Sequence, residues 1–226
     1  MSPILLNHLI GFSLLVFLLA PLALYIYLKN PRSHLNFSFA FYLGSISWWA
    51  FFTIFMITSP TKELGLLWDK LCLSGVMFIP SAFFHFSTSF LDKDKKLQKA
   101  VFFNYAFSLL FLAILWSTSL FVKDVVPKFG MNYFTVPGPV YLLFIFFFLV
   151  NSYGPITLMG LTLRKTLPSI FRTQLIYFFW FSLIAFTGGT CNYLLVYDIN
   201  IGGVAETTLR VGGARSGPGC GHSIRA

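Results

Sequence analysis

The sequence predicts an all-α, polytopic transmembrane helix bundle with six spans, and three observations lead to this prediction. Of the 226 residues, 57% are hydrophobic and only 10% are charged, whereas a soluble domain carries about 25% charged residues. The apolar residues form six runs, each long enough for the roughly 20 helical residues that cross a bilayer. Basic residues interrupt these runs in an ordered way. The shortage of charge excludes a soluble enzyme or binding domain, and 29 Phe exclude disorder.

Each predicted span is a nearly unbroken apolar stretch, with its ends placed to within about 3 residues. The first lacks the basic amino end and small-residue cleavage site of a signal peptide, which favours a retained helix. Pro80 predicts a bend in the third. Residues 141–150 do not alternate as a membrane β-strand would. The spans are Ile4–Leu28, Asn36–Thr58, Leu66–Leu91, Leu97–Phe121, Pro139–Leu163 and Thr173–Tyr197.

Basic residues concentrate in the breaks after the odd-numbered spans. These breaks contain Lys29, Arg32, Lys93, Lys95, Lys96, Lys99, Arg164, Lys165 and Arg172. The even-numbered breaks and their edges contain only Lys62, Lys70, Lys123 and Lys128. The positive-inside rule therefore predicts a multi-pass protein of the cell inner (plasma) membrane with its amino terminus outside. This pattern accounts for the net charge of +9 without nucleic-acid binding.

The composition changes after the sixth span. Residues 1–201 form the predicted bundle, whereas residues 202–226 are rich in Gly and contain no aromatic residue. We expect this tail to be disordered, or not to be the natural continuation of the chain, as after a shifted reading frame. Since six spans that start outside also end outside, a seventh would be needed to reach the cytoplasm.

Polar residues inside the spans are the candidates for ligand binding, because polar groups are costly in lipid and face the bundle interior. They are His85, Asn104, Asn151 and Asn192. The structural alternative, hydrogen bonding between helices, is favoured for each. Asp69 is assigned to a span boundary, and the lack of a deep acidic residue argues against a proton pump.

No catalytic motif is present, and the cysteines show no metal-binding or disulfide spacing. The sequence therefore predicts no enzyme activity, metal or cofactor. The outer loop between the fourth and fifth spans, Phe121–Gly138, is expected to be a simple connector, with a ligand lid as the alternative.

Several motifs then occur in a familiar order: Trp48-Trp49 in the second span, Gly75–Pro80 and Phe83–Phe86 in the third, Leu163–Thr166 after the fifth, and Gly188-Gly189 in the sixth. In these the chain resembles the N-terminal seven-transmembrane region of bacterial sensor histidine kinases. The resemblance implies six helices of a seven-helix sensory module, which a cytoplasmic output domain normally follows. These 226 residues contain no phosphoacceptor helix and no ATP-binding boxes, so kinase activity is not attributed to them.

The leading hypothesis is therefore a signal-input module of a two-component-type receptor. Its expected partners are the lipid bilayer and a small ligand or membrane signal, with a homodimer left open. One alternative is a small-solute carrier or channel, which would favour internal repeats; spans 1–3 and 4–6 share no clear pattern. A structural membrane subunit is the other.

Overall fold

The computed structural model describes residues 3–197. Six apolar helical segments in this range are long enough to cross a membrane, which confirms the predicted all-α polytopic bundle. The third segment consists of two consecutive helices. The tail at 202–226 lies outside the described residues. The elements are α1 (Pro3–Lys29), α2 (His34–Thr58), α3 (Lys62–Val76), α4 (Ile79–Phe90), α5 (Asp94–Ser117), β1 (Val122–Lys128), β2 (Met131–Pro137), α6 (Tyr141–Leu163) and α7 (Ile170–Val196).

The observed helix ends lie within four residues of the predicted span ends. The two largest differences have local causes. Thr61 accepts a hydrogen bond from the backbone N–H of Leu64 at 3.4 Å, and this N-cap starts α3 at Lys62, among polar residues that the apolar pattern omits. In the fourth span, α5 ends at Ser117, because the backbone of Thr118 is extended and the first strand begins soon after, at Val122.

The third span is broken where the sequence places Pro80. At the break, the N–H of Phe78 bonds to the carbonyl of Gly75 at 3.0 Å, a tighter turn than the α-helical pattern. Pro80 has no N–H to donate to the preceding turn. The predicted bend is therefore a change of helix between Val76 and Ile79.

The core of the bundle lies around α2 and α4. Helix α2 packs against α1, α3 and α4, and α4 packs against α2, α5 and α6. Aromatic rings fill the spaces between these helices: the rings of Phe83 and Phe186 have centroids 4.6 Å apart, as do those of Phe39 and Phe86. Phe83 is fully buried. Rings in such contact add stabilisation beyond their buried area.

The outer surface of the bundle is strongly apolar. Phe17 on α1, Phe102 on α5 and Phe146 on α6 are 75%, 69% and 65% exposed, respectively. A water-soluble protein rarely exposes so large an apolar surface. This surface is the one that lipid covers, so the bundle is a multi-pass membrane protein.

The segment between α5 and α6 is a folded β-hairpin rather than the simple connector expected from the sequence. Strands β1 and β2 pair antiparallel, with Lys128 opposite Met131. The turn residues between them, Phe129 and Gly130, both have positive φ angles, of 51° and 78°. Two such residues form the short turns whose twist matches that of paired strands. The hairpin therefore folds locally over the ends of the neighbouring helices.

Candidate functional site

The most unusual polar group in the bundle is the carboxylate of Asp69, on α3. Asp69 is only 1% exposed, so at this span boundary it is buried and not open to water. One carboxylate oxygen, Oδ1, accepts a hydrogen bond of 2.7 Å from the Thr135 hydroxyl on β2. The other oxygen, Oδ2, is buried and has no hydrogen-bond partner within the described part of the chain. Native structures rarely leave such an atom without an explanation.

Asp69 is buried because the hairpin covers it. Thr135 and its neighbour Phe134 are both buried. The ring of Tyr133 lies so close to Gly65, one turn before Asp69, that a Cβ at position 65 would be 2.8 Å from the ring. Gly65 thus allows β2 to approach the backbone of α3.

Three further polar contacts attach the hairpin to the ends of the helices. The ammonium of Lys62 donates to Oδ2 of Asp124 on β1 at 2.6 Å. The amide of Asn132 donates to the carbonyl of Ser59 at 3.1 Å, at the turn between α2 and α3. Lys128 donates to the carbonyl of Val196 at 3.2 Å. The hairpin is therefore bonded to the beginning of α3 and to the end of α7.

Aromatic residues surround the same end of the bundle. The ring of Tyr141, at the start of α6, lies 5.2 Å from that of Phe121 and 6.2 Å from that of Tyr193 on α7. Tyr141, Asp69 and Cys72 are all buried. The thiol of Cys72 lies 3.3 Å from the Thr53 hydroxyl on α2. We refer to Asp69, Cys72, Thr135, Tyr141 and Tyr193 as the Asp69 cluster.

Two lysine ammonium groups lie on the same helix as Asp69, but each contacts another residue. The ammonium of Lys70 lies 5.8 Å from the centre of the Trp116 ring, a cation–π contact. Lys62 is paired with Asp124, whose side chain is 37% exposed. The hydrogen bond from Lys62 lowers the pKa of the Asp124 carboxyl below its ordinary value, and the N–H of Val125 adds to the effect.

His85 and Asn104, two of the predicted ligand residues, lie where α4 meets α5. Nδ1 of His85 is hydrogen-bonded to the Tyr105 hydroxyl on α5 at 3.2 Å. The backbone carbonyl of Asn104 accepts a hydrogen bond of 3.0 Å from the Ser81 hydroxyl. The contact of His85 is of the interhelical kind that the structural alternative describes.

Asn151 and Asn192 lie on other helices. Asn151 is buried on α6, and its amide donates to the carbonyl of Phe147 at 2.9 Å. This bond lies within one helix, not between two as the structural alternative expected. Asn192 is half-buried on α7. These positions do not test a ligand-binding role, which stays a prediction for all four residues.

Sequence reasoning missed Asp69 and Thr135 as partners. Two signals were available: a carboxylate three residues before Cys72 in an apolar run, and β-forming residues on both sides of Phe129-Gly130. Within residues 3–197, no three His, Cys, Asp or Glu side chains come together as a metal centre would need. The site is thus a single buried carboxylate beneath the hairpin, which polar contacts attach to the helices.

The fold and this site define the class of the chain as a polytopic α-helical membrane protein with a hairpin over one end of the bundle. A family described as the N-terminal 7TM region of histidine kinase matches residues 12–206. Because the match covers most of the chain, the chain belongs to this family, and the resemblance seen in the sequence is confirmed. No curated protein and no solved structure shows a significant match.

Proposed function

We propose that the chain is the membrane-embedded signal-input module of a two-component-type receptor, and that the hairpin end of the bundle receives the signal. The family supports an input role. The observation that carries the location is that one small hairpin bonds to both α3 and α7, through Thr135–Asp69 and Lys128–Val196.

Such an arrangement suits a switch. A signal shifts a protein between two states only by as much as its affinities for them differ. A ligand that binds better to one of two states, with the hairpin attached or lifted, would shift the balance between making and breaking the hairpin contacts. In the lifted state the end of α7 loses a bond that depends on the position of the hairpin.

The proposed orientation places the hairpin outside the cell. The breaks opposite the hairpin carry most of the basic residues, which is the cytoplasmic signature. A single cysteine at the exposed position Lys123, on the hairpin, should react with a membrane-impermeant maleimide in intact cells. A cysteine at the exposed position Lys165, between α6 and α7, should react only after permeabilisation. The reverse pattern would overturn the orientation and with it an outside signal.

The signalling role is tested by fusing the chain to the seventh helix and kinase of a family member and measuring autophosphorylation. Thr135→Val removes the donor to Asp69, whereas Thr135→Ser retains it. A signalling hairpin predicts that Val changes kinase activity and that Ser does not. Equal activity in all three proteins would count against the proposal. Saturable solute flux in proteoliposomes would instead favour a carrier.

A further inference from the structure

We propose that the free carboxylate oxygen of Asp69 binds a small monovalent cation beneath the hairpin. This inference deepens the proposed function, on which it rests, by naming the class of ligand that the Asp69 cluster takes. The ligand is either an inorganic ion or a small protonated amine, since both offer one positive charge to a carboxylate.

Among the described residues, the carboxylate of Asp69 has a hydrogen-bond partner at only one of its two oxygens. Asp69 is 1% exposed, and its Oδ1 is satisfied by Thr135, but Oδ2 is buried without a hydrogen bond from residues 3–197. An ionised carboxylate is an acceptor with about four lone-pair sites. A buried carboxylate is neutralised by a proton or balanced by a paired group or a cation, because leaving the charge unpaired is very costly.

The lysines of the surrounding elements do not fill the position beside Oδ2. On α3, Lys62 pairs with Asp124 and Lys70 reaches the Trp116 ring. Lys70 still attracts Asp69 from a distance. On the hairpin, Lys128 donates to the Val196 carbonyl, and Lys123 is exposed. In the described part of the chain none of these ammonium groups is hydrogen-bonded to Oδ2.

The chemistry around the carboxylate of Asp69 suits a monovalent cation. One carboxylate balances one positive charge, whereas divalent ions are held by several acidic ligands. The Thr135 hydroxyl lies 2.7 Å from Oδ1 of Asp69, and the aromatic rings of Tyr141 and Tyr193 lie 6.2 Å apart at this end of the bundle. Hydroxyl oxygens and aromatic faces suit both inorganic ions and protonated amines.

Access to the site requires the hairpin to move. Its outer attachment, between Lys62 and Asp124, has side chains that are 52% and 37% exposed. Exposed ion pairs of this kind contribute little to stability, so water can compete with this contact. The Thr135–Asp69 bond is the inner contact, and a bound cation would strengthen it by holding the carboxylate in place.

Cys72 provides a native reporter of opening. It is 3% exposed and lies three residues after Asp69, so a maleimide reaches it only when this end of the bundle opens. The experiment uses the full chain in phosphatidylcholine nanodiscs, with Cys191→Ser and Cys220→Ser to silence the other cysteines. The rate of labelling by N-ethylmaleimide is measured at constant pH and ionic strength. Sodium, potassium, ammonium or methylammonium replaces the bulky cation N-methyl-D-glucamine.

A cation that binds the closed site should slow the labelling of Cys72 about ten-fold at ten times its dissociation constant, because the open fraction falls by that factor. Protection by sodium or potassium alone would identify an inorganic ligand, and protection by the ammonium ions alone an amine. Asp69→Asn, which keeps an acceptor for Thr135 but removes the charge, should abolish the protection. The control Glu63→Gln removes an exposed carboxylate from the same helix and should leave the protection unchanged.

Two outcomes would overturn the inference: no cation protects the wild-type chain, or Asp69→Asn is protected as strongly as wild type. If Asp69→Asn does not fold, the labelling rates of wild-type Cys72 in the different cations test the inference by themselves. Because the assay measures binding and the kinase fusion measures signalling, a negative result here leaves the proposed input role intact. Unchanged kinase activity with intact cation protection would reject the role and keep the site.

Discussion

The Ser108 hydroxyl on α5 donates a hydrogen bond of 2.7 Å to the backbone carbonyl of Met77, at the break between α3 and α4. The same hydroxyl lies 2.7 Å from that of Ser81 on α4. Ser108 and Ser81 are both fully buried. A break in a membrane helix must have its backbone groups satisfied by neighbouring groups. Helix α5 therefore helps to satisfy the break that accompanies Pro80.

Replacing Ser108 with Ala should destabilise the bundle, because it removes one donor from the Met77 carbonyl and a partner from Ser81. We expect a loss of about 1 kcal/mol, or a Tm lower by about 2–4 °C, in a non-ionic detergent. Ser117→Ala is the matched control on α5, since the exposed Ser117 hydroxyl bonds only to the carbonyl of Ala113 one turn earlier. Equal Tm values for the two variants would show that the bond across the break contributes nothing.

The sequence was sufficient to locate the helices but not to predict the hairpin that covers their ends. Composition alone selects lipid as the solvent, and the apolar runs end within four residues of the observed helices. The hairpin was missed because Pro127, Pro137 and Gly138 favour a connector. The strands are short, and their pairing depends on the turn at Phe129-Gly130, where a non-glycine residue has positive φ.

The site was harder to predict because it depends on a contact over a long separation. Asp69 and Thr135 are 66 residues apart, and only the folded hairpin brings them together. From sequence, Asp69 near the beginning of an apolar run was assigned to a span boundary, and polar groups are costly only deeper in the membrane. Polar residues deeper in the spans, such as His85, were predicted as ligand candidates from their position alone.

Gly138→Ala should displace the base of the hairpin. A Cβ at Gly138 would lie 2.1 Å from the Leu120 carbonyl oxygen, and the N–H of Gly138 bonds to the carbonyl of Phe121 at 2.9 Å. Both contacts involve backbone, which cannot rotate away, so we expect a loss of about 1–3 kcal/mol. Hydrogen exchange of residues 122–137, followed by mass spectrometry, should become faster.

The control for this change is Gly154→Ala on α6, where no atom lies within 4 Å of the added Cβ. This substitution should leave exchange in the hairpin unchanged, and it should stabilise α6 slightly, since Ala is the better helix former. Unaltered exchange in the Gly138→Ala hairpin would show that its base moves aside without cost.

The pair Lys62–Asp124 should make attachment of the hairpin sensitive to acid. The pKa of Asp124 is lowered in the folded state, so its ionised form favours the attached hairpin. This contribution is present above the ordinary pKa of Asp and is lost as the pH falls through the lowered pKa. The effect should be small because both side chains are partly exposed.

The lowered pKa itself can be measured by NMR titration of the ¹³C-labelled Asp124 carboxyl in micelles. In Lys62→Met the midpoint should rise towards the ordinary value, because the hydrogen bond that lowers the pKa most has been removed. Lys165→Met, which removes an exposed lysine between α6 and α7, should leave the midpoint unchanged. An identical midpoint in wild type and Lys62→Met would contradict the assignment of the shift to Lys62.

Three variants of the buried Thr135–Asp69 contact should differ in stability in a defined order. Thr135→Val removes the hydroxyl that donates to Oδ1 of Asp69, so neither carboxylate oxygen keeps a hydrogen bond from residues 3–197. This change should lower the free energy of unfolding by about 1–3 kcal/mol. Thr135→Ser keeps a hydroxyl and should cost less. Asp69→Asn keeps an acceptor for Thr135 and removes the uncompensated charge, so it should also cost less than Thr135→Val. The measurement is thermal unfolding in a non-ionic detergent, with N-methyl-D-glucamine as the only buffer cation. If Asp69→Asn lowers the Tm as much as Thr135→Val, the charge on Asp69 is well tolerated without a cation. The reason for placing a cation at Oδ2 would then be lost.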